Sequence, residues 1–364
     1  MKLLKKIPLF IFIAINLVFV VAMIFCVYSA KLPPQLYPRV SYFGLMFPFF
    51  WVANIVFVLF WLLFKWKCIV IPMVGMLLCA HAIRAYCPFN VSTTPPGDCL
   101  KVLSYNVMSF GDDKSMPWEE NPIVQYLVQS DADIICLQEA TNSYVEQAFA
   151  SLEALYPYRH IEKDPDSYVA FLSKYPIVSS KRIDYASINN CSIAHEVAVG
   201  NDTIIVINNH LDSYRLSPED KEDYRSIIRN YKNPEENHTE TKYLSLTEKL
   251  STHDSIRGIQ TDSVAKYIDG NRHRPMIVCG DFNTSPISYT HHRLTEYLND
   301  AYTRSGNGTG FSYNRSGMYF RIDNILVSPD IEAYGAVVDR SIKTSDHYPI
   351  FCFVKLKESS LSGK

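Results

Sequence analysis

No two cysteines in this sequence stand as C-x-x-C, and their number, nine, is odd, so neither a zinc site nor a disulfide framework follows from them. Cys136, Cys279 and Cys352 lie inside apolar runs, where a buried and inert thiol is expected. Cys87 and Cys99 flank a Pro- and Thr-containing stretch; a disulfide there would suit an oxidising compartment, but spacing alone does not fix the pairing. A long basic run is missing as well. Lys and Arg are dispersed and the formal net charge is −2, which weighs against the basic stripe of tight, sequence-independent nucleic-acid binding. The 364 residues contain no internal repeat, and their length allows one large domain or two ordinary ones.

Charge is absent altogether from two long segments. IPLFIFIAINLVFVVAMIFCVYSA (residues 7–30) and YFGLMFPFFWVANIVFVLFWLLF (42–64) each exceed the roughly 20 apolar residues that cross a bilayer as a helix. CIVIPMVGMLLCAHAI, from residue 68 to about 84, is a shorter third candidate. The first run is longer than the apolar part of a cleaved signal peptide, so residues 1–84 read as a membrane anchor of two to three helices. Lys2, Lys5 and Lys6 precede the first span, and Lys65 and Lys67 precede the third. Retention of these lysines in the cytoplasm places everything after Arg84 outside it when all three segments cross. Lys31 and Arg39 in the intervening loop weaken that asymmetry, and loss of the third span would reverse it. The two long runs carry no ionisable group of the kind that marks transport, so anchoring is the simpler role.

Residues 85–99 read as a linker and 100–358 as a soluble domain. Short runs rich in Val and Ile punctuate that domain: KVLSYNV, DADIICLQEA, TIIVINNHL, PMIVCGDFN, IDNILVS and YPIFCFVKL. NPIVQYLVQS (121–130) and SIRGIQTDSVAKYI (255–268) repeat apolar residues at helical spacing, so the class is α/β or α+β. Residues 213–254 are highly charged, with Ser217 placed to cap a helix. They read as a solvated helical insertion or, because they start just after His210, as a lid.

Each apolar run meets a polar residue at one end. Asn106, Glu139, His210, and Asp281 with Asn283 close the first four runs, whereas Asp323 with Asn324 and Asp346 with His347 open the last two. If the last two strands run antiparallel to the others, in mixed sheets, all these groups gather along one edge. Singly each is an ordinary turn or cap residue; GDFN in particular has the composition of a turn. Together, four carboxylates, two histidines and several amides are the donors that hard divalent cations and phosphate chemistry use.

The ordered set SYNV, LQEA, NHLD, GDFN, RIDNILVS, SDHYP resembles the endonuclease/exonuclease/phosphatase superfamily, the DNase I-like Mg2+-dependent phosphoesterases. KYPIVSS (174–180) and the pair Arg257 and Gln260 fit the same pattern, and the resemblance covers about residues 100–356. It implies a four-layered sandwich of two mixed β-sheets flanked by helices. It also implies a Mg2+ ion, replaceable by Mn2+, on Glu139 with help from Asn106. Asp281 would orient or deprotonate water, Asn283 would bind a phosphoryl oxygen, and His347, oriented by Asp346, would act as base or as electrostatic partner. His210, paired with Asp323, would protonate the leaving oxygen. The choice of base between Asp281 and His347 stays open. The superfamily holds nucleases, inositol polyphosphate phosphatases, sphingomyelinases and membrane-attached proteins similar to lipid remodelling factors. The expected partners are therefore a bilayer and a phosphodiester, either a lipid headgroup or nucleic acid, with no protein partner evident. The competing readings are an extracytoplasmic nuclease and a non-catalytic binding protein of the same fold.

Overall fold

In the computed structural model, residues 7–111, 117–140, 145–164, 167–187, 190–229, 239–315 and 318–357 are described. Lys2, Lys5, Lys6 and residues 230–238 of the charged insertion lie outside them.

Strands apolar on both faces must be covered on both faces, and here two sheets meet that need by packing together. The strands are β1 (Leu100–Asn106), β2 (Ile134–Gln138), β3 (Tyr158–Asp164), β4 (Ser167–Ser173), β5 (Ile177–Arg182) and β6 (Cys191–Val199). They continue with β7 (Asp202–His210), β8 (Met276–Asp281), β9 (Asn299–Asp300), β10 (Asp323–Val327), β11 (Ile331–Val338) and β12 (Ile350–Leu356). One six-stranded sheet has the order β11-β12-β1-β2-β4-β3, the other β5-β6-β7-β8-β10-β9. Both are mixed: β1 and β2 are parallel, as are β7 and β8, whereas β12 runs antiparallel to β1 and β10 antiparallel to β8. This is the condition under which the polar strand ends share one edge.

Val102, Ile134, Cys136, Phe171, Ile277 and Cys352 belong to the apolar layer between the sheets. Cys136, Cys279 and Cys352 are all free and buried. On the outer face of the first sheet pack the helices Pro122–Ser130 and Val145–Leu152; the long helix Thr239–Asn271 covers the second sheet through Val264, Ala265 and Ile268. Asn121 caps the first of these by accepting from the amides of Ile123 (2.9 Å) and Val124 (3.3 Å). The helix expected over 255–268 starts sixteen residues earlier, at Thr239, because the charged insertion continues it rather than interrupting it. Ser217 does cap the preceding helix, Pro218–Arg229, accepting from the Asp220 amide at 3.1 Å.

At the depth of the sandwich one polar cluster joins the sheets. Asn208 Oδ1 of β7 accepts from Gln138 Nε2 of β2 at 2.7 Å, and Asn208 Nδ2 donates to the carbonyls of Leu137 (3.1 Å) and Ala170 (3.0 Å). All of these groups are buried, so each needs its partner.

Two N-terminal helical segments are long and apolar enough to cross a membrane: Leu9–Ser29, 21 residues, and Pro38–Phe64, 27 residues. Buried between them, Trp61 Nε1 donates to Asn16 Oδ1 (2.8 Å) and Asn16 Nδ2 to Asn54 Oδ1 (3.2 Å), the side-chain hydrogen bonding that joins helices where water is absent. The third candidate is a pair of helices, Trp66–Leu78 and Ala80–Tyr86, bent by 66° at Cys79.

Residues 34–44, the end of the loop between the first two segments and the first turns of the second, lie on the sandwich. Gln35 Nε2 donates to Asp262 Oδ2 (2.8 Å), Ser255 Oγ donates to Pro34 O (3.0 Å), and Gly44 is pressed so closely on Ile287 that a Cβ there would sit 1.8 Å from its carbonyl oxygen. Buried Arg321, two residues before β10, donates to Ala85 O near the end of the bent pair. The Cys87–Cys99 pairing that spacing left open is not made; both thiols are free. The linker is stretched along the domain instead: Asn90 Nδ2 donates to Gly306 O at 2.6 Å, whereas Asp98 pairs with Lys355 at 2.9 Å.

Replacing Asn208 by Leu removes a donor from two buried carbonyls and the shortest of the three acceptors of Gln138 Nε2, which keeps Ser104 Oγ (3.2 Å) and Cys136 O (3.3 Å); a lost buried partner costs about 1–3 kcal/mol. Asn208→Leu should therefore lower the thermal midpoint of the full chain by well over the few degrees of an ordinary core swap, and an unchanged midpoint would contradict the inter-sheet role.

Candidate active site

Register decides which side chains meet. Asp323, first in β10, lies directly across from Asp281, last in β8, and Asp281 in turn lies beside His210, last in β7. Across the sandwich, Asn106 ends β1 opposite Gln138, one residue before Glu139. Two local features turn these ends inward. Glu139 (φ 51°) and Asn283 (φ 52°) adopt the left-handed region that non-glycine residues seldom occupy. Gly280 brings β8 so near β7 that a Cβ would stand 2.0 Å from Asn209 O. GDFN is thus a turn and also a set of site residues.

Asn106 is the centre of the polar contacts: its Nδ2 donates to Glu139 Oε1 (2.9 Å) and to Asp281 Oδ2 (3.1 Å), bridging the two sheets. His347 Nδ1 lies 2.8 Å from Asp323 Oδ2, and its Nε2 lies 3.7 Å from Asp281 Oδ2. His210 Nε2 stands 3.6 Å from Glu139 Oε1. Asp281 Oδ1 accepts from the Asn283 amide (2.8 Å), and Asn283 Nδ2 donates to Leu211 O (2.9 Å). The expected residues therefore converge, with two corrections to their pairing. His347 is held by Asp323, not by Asp346, because neighbours in an extended chain point to opposite sides; Asp346 instead lies 3.7 Å from Arg315. His210 does not pair with Asp323, because β8 lies between β7 and β10; its nearby carboxylate is Glu139.

Sequence reasoning missed the supporting serines and named Arg257 and Gln260 without their contacts. Ser345 Oγ donates to Asn106 O (2.7 Å) and accepts from the His347 amide (3.1 Å), locking two site residues together. Ser312 Oγ accepts from the amide of Asp323 at 3.1 Å. Arg257, buried, donates from Nη1 to Asn283 O (2.9 Å) and from Nε to Asp212 O (2.9 Å), while Gln260 Oε1 accepts from the Asp212 amide (2.8 Å). Asp212 was visible in NHLD, but only the fold shows that it secures the strand end. A cavity of about 300 Å³ opens over Glu139, Asp281, Asn283, Asp346 and His347. Ser213, Tyr214, Arg215, Leu216, Lys221, Leu246 and Leu250 line it, so the insertion is helical and also covers the site, where a purely solvated face was one of the two expectations.

Electrostatics separate the roles of the two central groups. Burial pushes the Asp281 carboxyl up to about 6; the nearby His347 opposes that rise and Asp323 adds to it. Burial alone would lower His347, but the charges of Asp323 and Asp281 outweigh it and hold the imidazole well above its usual 6.5. Asp281, Asp323 and His347 offer ligand atoms within 4.8 Å of one another. His347 already occupies the space between the carboxylates, however, whereas Glu139 presents a side chain 38% exposed at the cavity. Oxygen donors of this kind fit a hard divalent cation that keeps part of its water. Both raised pKa values favour the protonated folded state. The Asp281 contribution is intact below its ordinary 3.8 and is lost as pH rises through about 6, and the His347 contribution is intact below 6.5 and is lost as pH rises from there through its elevated pKa. Metal-free protein should accordingly lose thermal stability between about pH 4 and pH 7, and Asp281→Asn should flatten that slope; equal slopes would contradict the burial of a titrating Asp281.

The comparisons with known proteins agree with this geometry. Residues 103–347 match the Endonuclease/Exonuclease/phosphatase family, and residues 9–86 match a domain described only as of unknown function. No curated protein matches by sequence. Among solved structures, a humanized D. rerio TDP2 with 14 mutations is similar at 15% identity, covering 71% of this chain and 99% of its own, with a TM-score of 0.54. The human Nocturnin catalytic domain with bound sulfate is similar at 18% identity, covering 73% of this chain and 100% of its own, with a TM-score of 0.50. Truncated Caenorhabditis elegans TDP2 is similar at 18% identity, covering 71% and 98%, also at 0.50. At such identities the structures speak for the fold, two mixed sheets in a DNase I-like sandwich. The family match spans more than half of the sequence, and the chain therefore belongs to the Endonuclease/Exonuclease/phosphatase family, as a metal-dependent hydrolase acting on phosphoester bonds.

Proposed function

We propose that the protein is a membrane-anchored phosphodiesterase that uses Mg2+ and acts at the outer surface of a bilayer on a lipid or lipid headgroup. The observation that carries this reading is the convergence of Glu139, Asp281, Asn283 and His347, with His210 3.6 Å behind Glu139, on a cavity that also touches Leu45, from the 3-10 turn Tyr42–Met46 just before the apolar helix Phe47–Phe64.

Glu139 and Asn106 would hold the cation, which when bound neutralises phosphate oxygens and stabilises the charge that develops on displacement. Asp281 acts as the base: its carboxyl, raised to about 6, is ionised at neutral pH yet basic enough to take a proton from water. His347, kept cationic by Asp323 and Asp281, faces the phosphate as an electrostatic partner rather than as a base. The water oxygen bonds to phosphorus as its proton passes to Asp281; the bond from phosphorus to the leaving oxygen breaks, and His210 supplies that oxygen with a proton. Asn283 uses the second hydrogen of its Nδ2, beyond the one given to Leu211, for a phosphoryl oxygen.

Topology supports the outer location. The stretch carrying Pro34, Gln35 and Gly44 packs on the sandwich, so both occupy one side of the bilayer. In this reading that stretch is one crossing from the N-terminus, the bent pair Trp66–Tyr86 is a further crossing, and Lys65 and Lys67 lie on the opposite, cytoplasmic side, in keeping with their charge. In sealed right-side-out vesicles, added protease should digest the sandwich, and in inverted vesicles it should not; protection in the first case would reverse the assignment.

For activity, full-length protein in detergent should hydrolyse a phosphodiester only with a divalent cation, and Glu139→Ala or His347→Ala should each lower kcat/KM by about 10²–10⁴-fold. Activity surviving both changes would place the chemistry elsewhere, and activity confined to DNA would favour the nuclease alternative over a lipid.

A further inference from the structure

We infer that the membrane segment builds part of the substrate pocket, and that the pocket accepts the apolar chain of a membrane lipid whose phosphodiester lies at His347 and Asp281. This rests on the phosphodiesterase reading above and narrows its substrate. The cavity has a polar floor and apolar walls. Its floor is Glu139, Asp281, Asn283 and His347; its walls include Leu45, Leu216, Leu246, Leu250, Phe320 and Ile322. Four separate stretches of chain converge to make those walls: the loop between the first two apolar helices, the start of the insertion, the long helix Thr239–Asn271, and the segment leading into β10.

Leu45 is the informative residue. It lies two positions before Phe47, where an apolar helix that continues to Phe64 begins, so this wall stands where the chain enters the bilayer. Close packing of Gly44 on Ile287 fixes Leu45 at the cavity, since no side chain fits at position 44 without displacing backbone. The same loop and the same long helix also expose Leu36, Met46, Tyr243 and Leu244, apolar groups that a water-facing surface has no reason to carry together but that a bilayer surface accepts. Charge on the walls is sparse: Arg215 is engaged by Asp212 at 3.2 Å, and Lys221 donates to the Tyr313 hydroxyl at 3.2 Å. A nucleic-acid strand requires a basic track along its backbone as well as stacking surfaces for its bases; Tyr214, Tyr313 and Phe320 line the cavity, but Arg215 and Lys221 are its two wall cations and both are engaged. An amphiphile requires one polar end and one apolar wall. The cavity supplies the second arrangement.

The test compares two esters that share a leaving group and differ in the chain: methyl p-nitrophenyl phosphate and hexadecyl p-nitrophenyl phosphate. Full-length protein in detergent micelles with Mg2+ should prefer the hexadecyl ester in kcat/KM, and Leu45→Gln should lower that preference about tenfold relative to the unsubstituted chain. Comparing protein variants at one detergent concentration cancels the partitioning of the long ester into micelles. Leu216→Gln, which changes the wall from the side of the insertion, should act in the same direction, so misfolding of one variant does not decide the result. A preference unaltered in both variants, with melting points retained, would overturn this inference while leaving the phosphodiesterase intact. Failure of the unsubstituted protein to hydrolyse either ester would overturn the phosphodiesterase reading itself.

Discussion

Two carboxylates directly opposite one another on antiparallel strands repel, and burial removes the water that would screen them. Asp281 and Asp323 are in that position, each 1% exposed. His347 resolves the conflict by entering between them, at 2.8 Å from one and 3.7 Å from the other. Much of the site follows from this arrangement. The segment before β12 must approach the ends of the other sheet; Ser345 makes that approach by fastening to Asn106, and Asn106 reaches on to Glu139 and back to Asp281. A charge conflict within one sheet is therefore settled by residues of the other. The apolar layer holds the sheets together, and the polar edge sets how they are aligned.

The division of labour between Asp281 and His347 has the same origin. Two groups that share a proton environment are driven apart in basicity by what surrounds them. His347 has a carboxylate on each side, whereas for Asp281 burial outweighs the opposing pull of His347 and His210, and Asp323 adds to the rise. In the mechanism proposed above, the histidine, by habit the first candidate for a base, is the fixed charge, and the carboxylate is the group that moves a proton.

Much of this was legible in the sequence because strand ends are local features. Asn106, Glu139, His210, Asp281, Asp323 and His347 each stand where an apolar run stops or starts, and the mixed sheets needed to unite them follow from that placement. The partners were not legible. His347 is adjacent to Asp346 in sequence, yet Asp323, 24 residues away, holds it. Ser345 and Asn106 are separated by 239 positions, and no local pattern encodes their bond. The charged insertion misled for a related reason: Leu216, Leu246 and Leu250 are scattered among charges, and only folding brings them over one cavity. The Cys87–Cys99 pairing could not be decided from spacing because the eleven residues between them can be drawn out along a surface as readily as closed into a loop.

The contact of Gln35 with Asp262 spans 227 residues, and Gly44 meets Ile287 across more. A chain made from its N-terminus emerges with the loop first, and the helix that covers it appears only after more than two hundred further residues. During that interval this stretch has no sandwich surface to rest on. If the apolar helices beside it enter a bilayer as proposed, assembly has an order: the anchor is set first, the sandwich closes over it afterwards, and the pocket wall at Leu45 is completed only when the helix Thr239–Asn271 has been made.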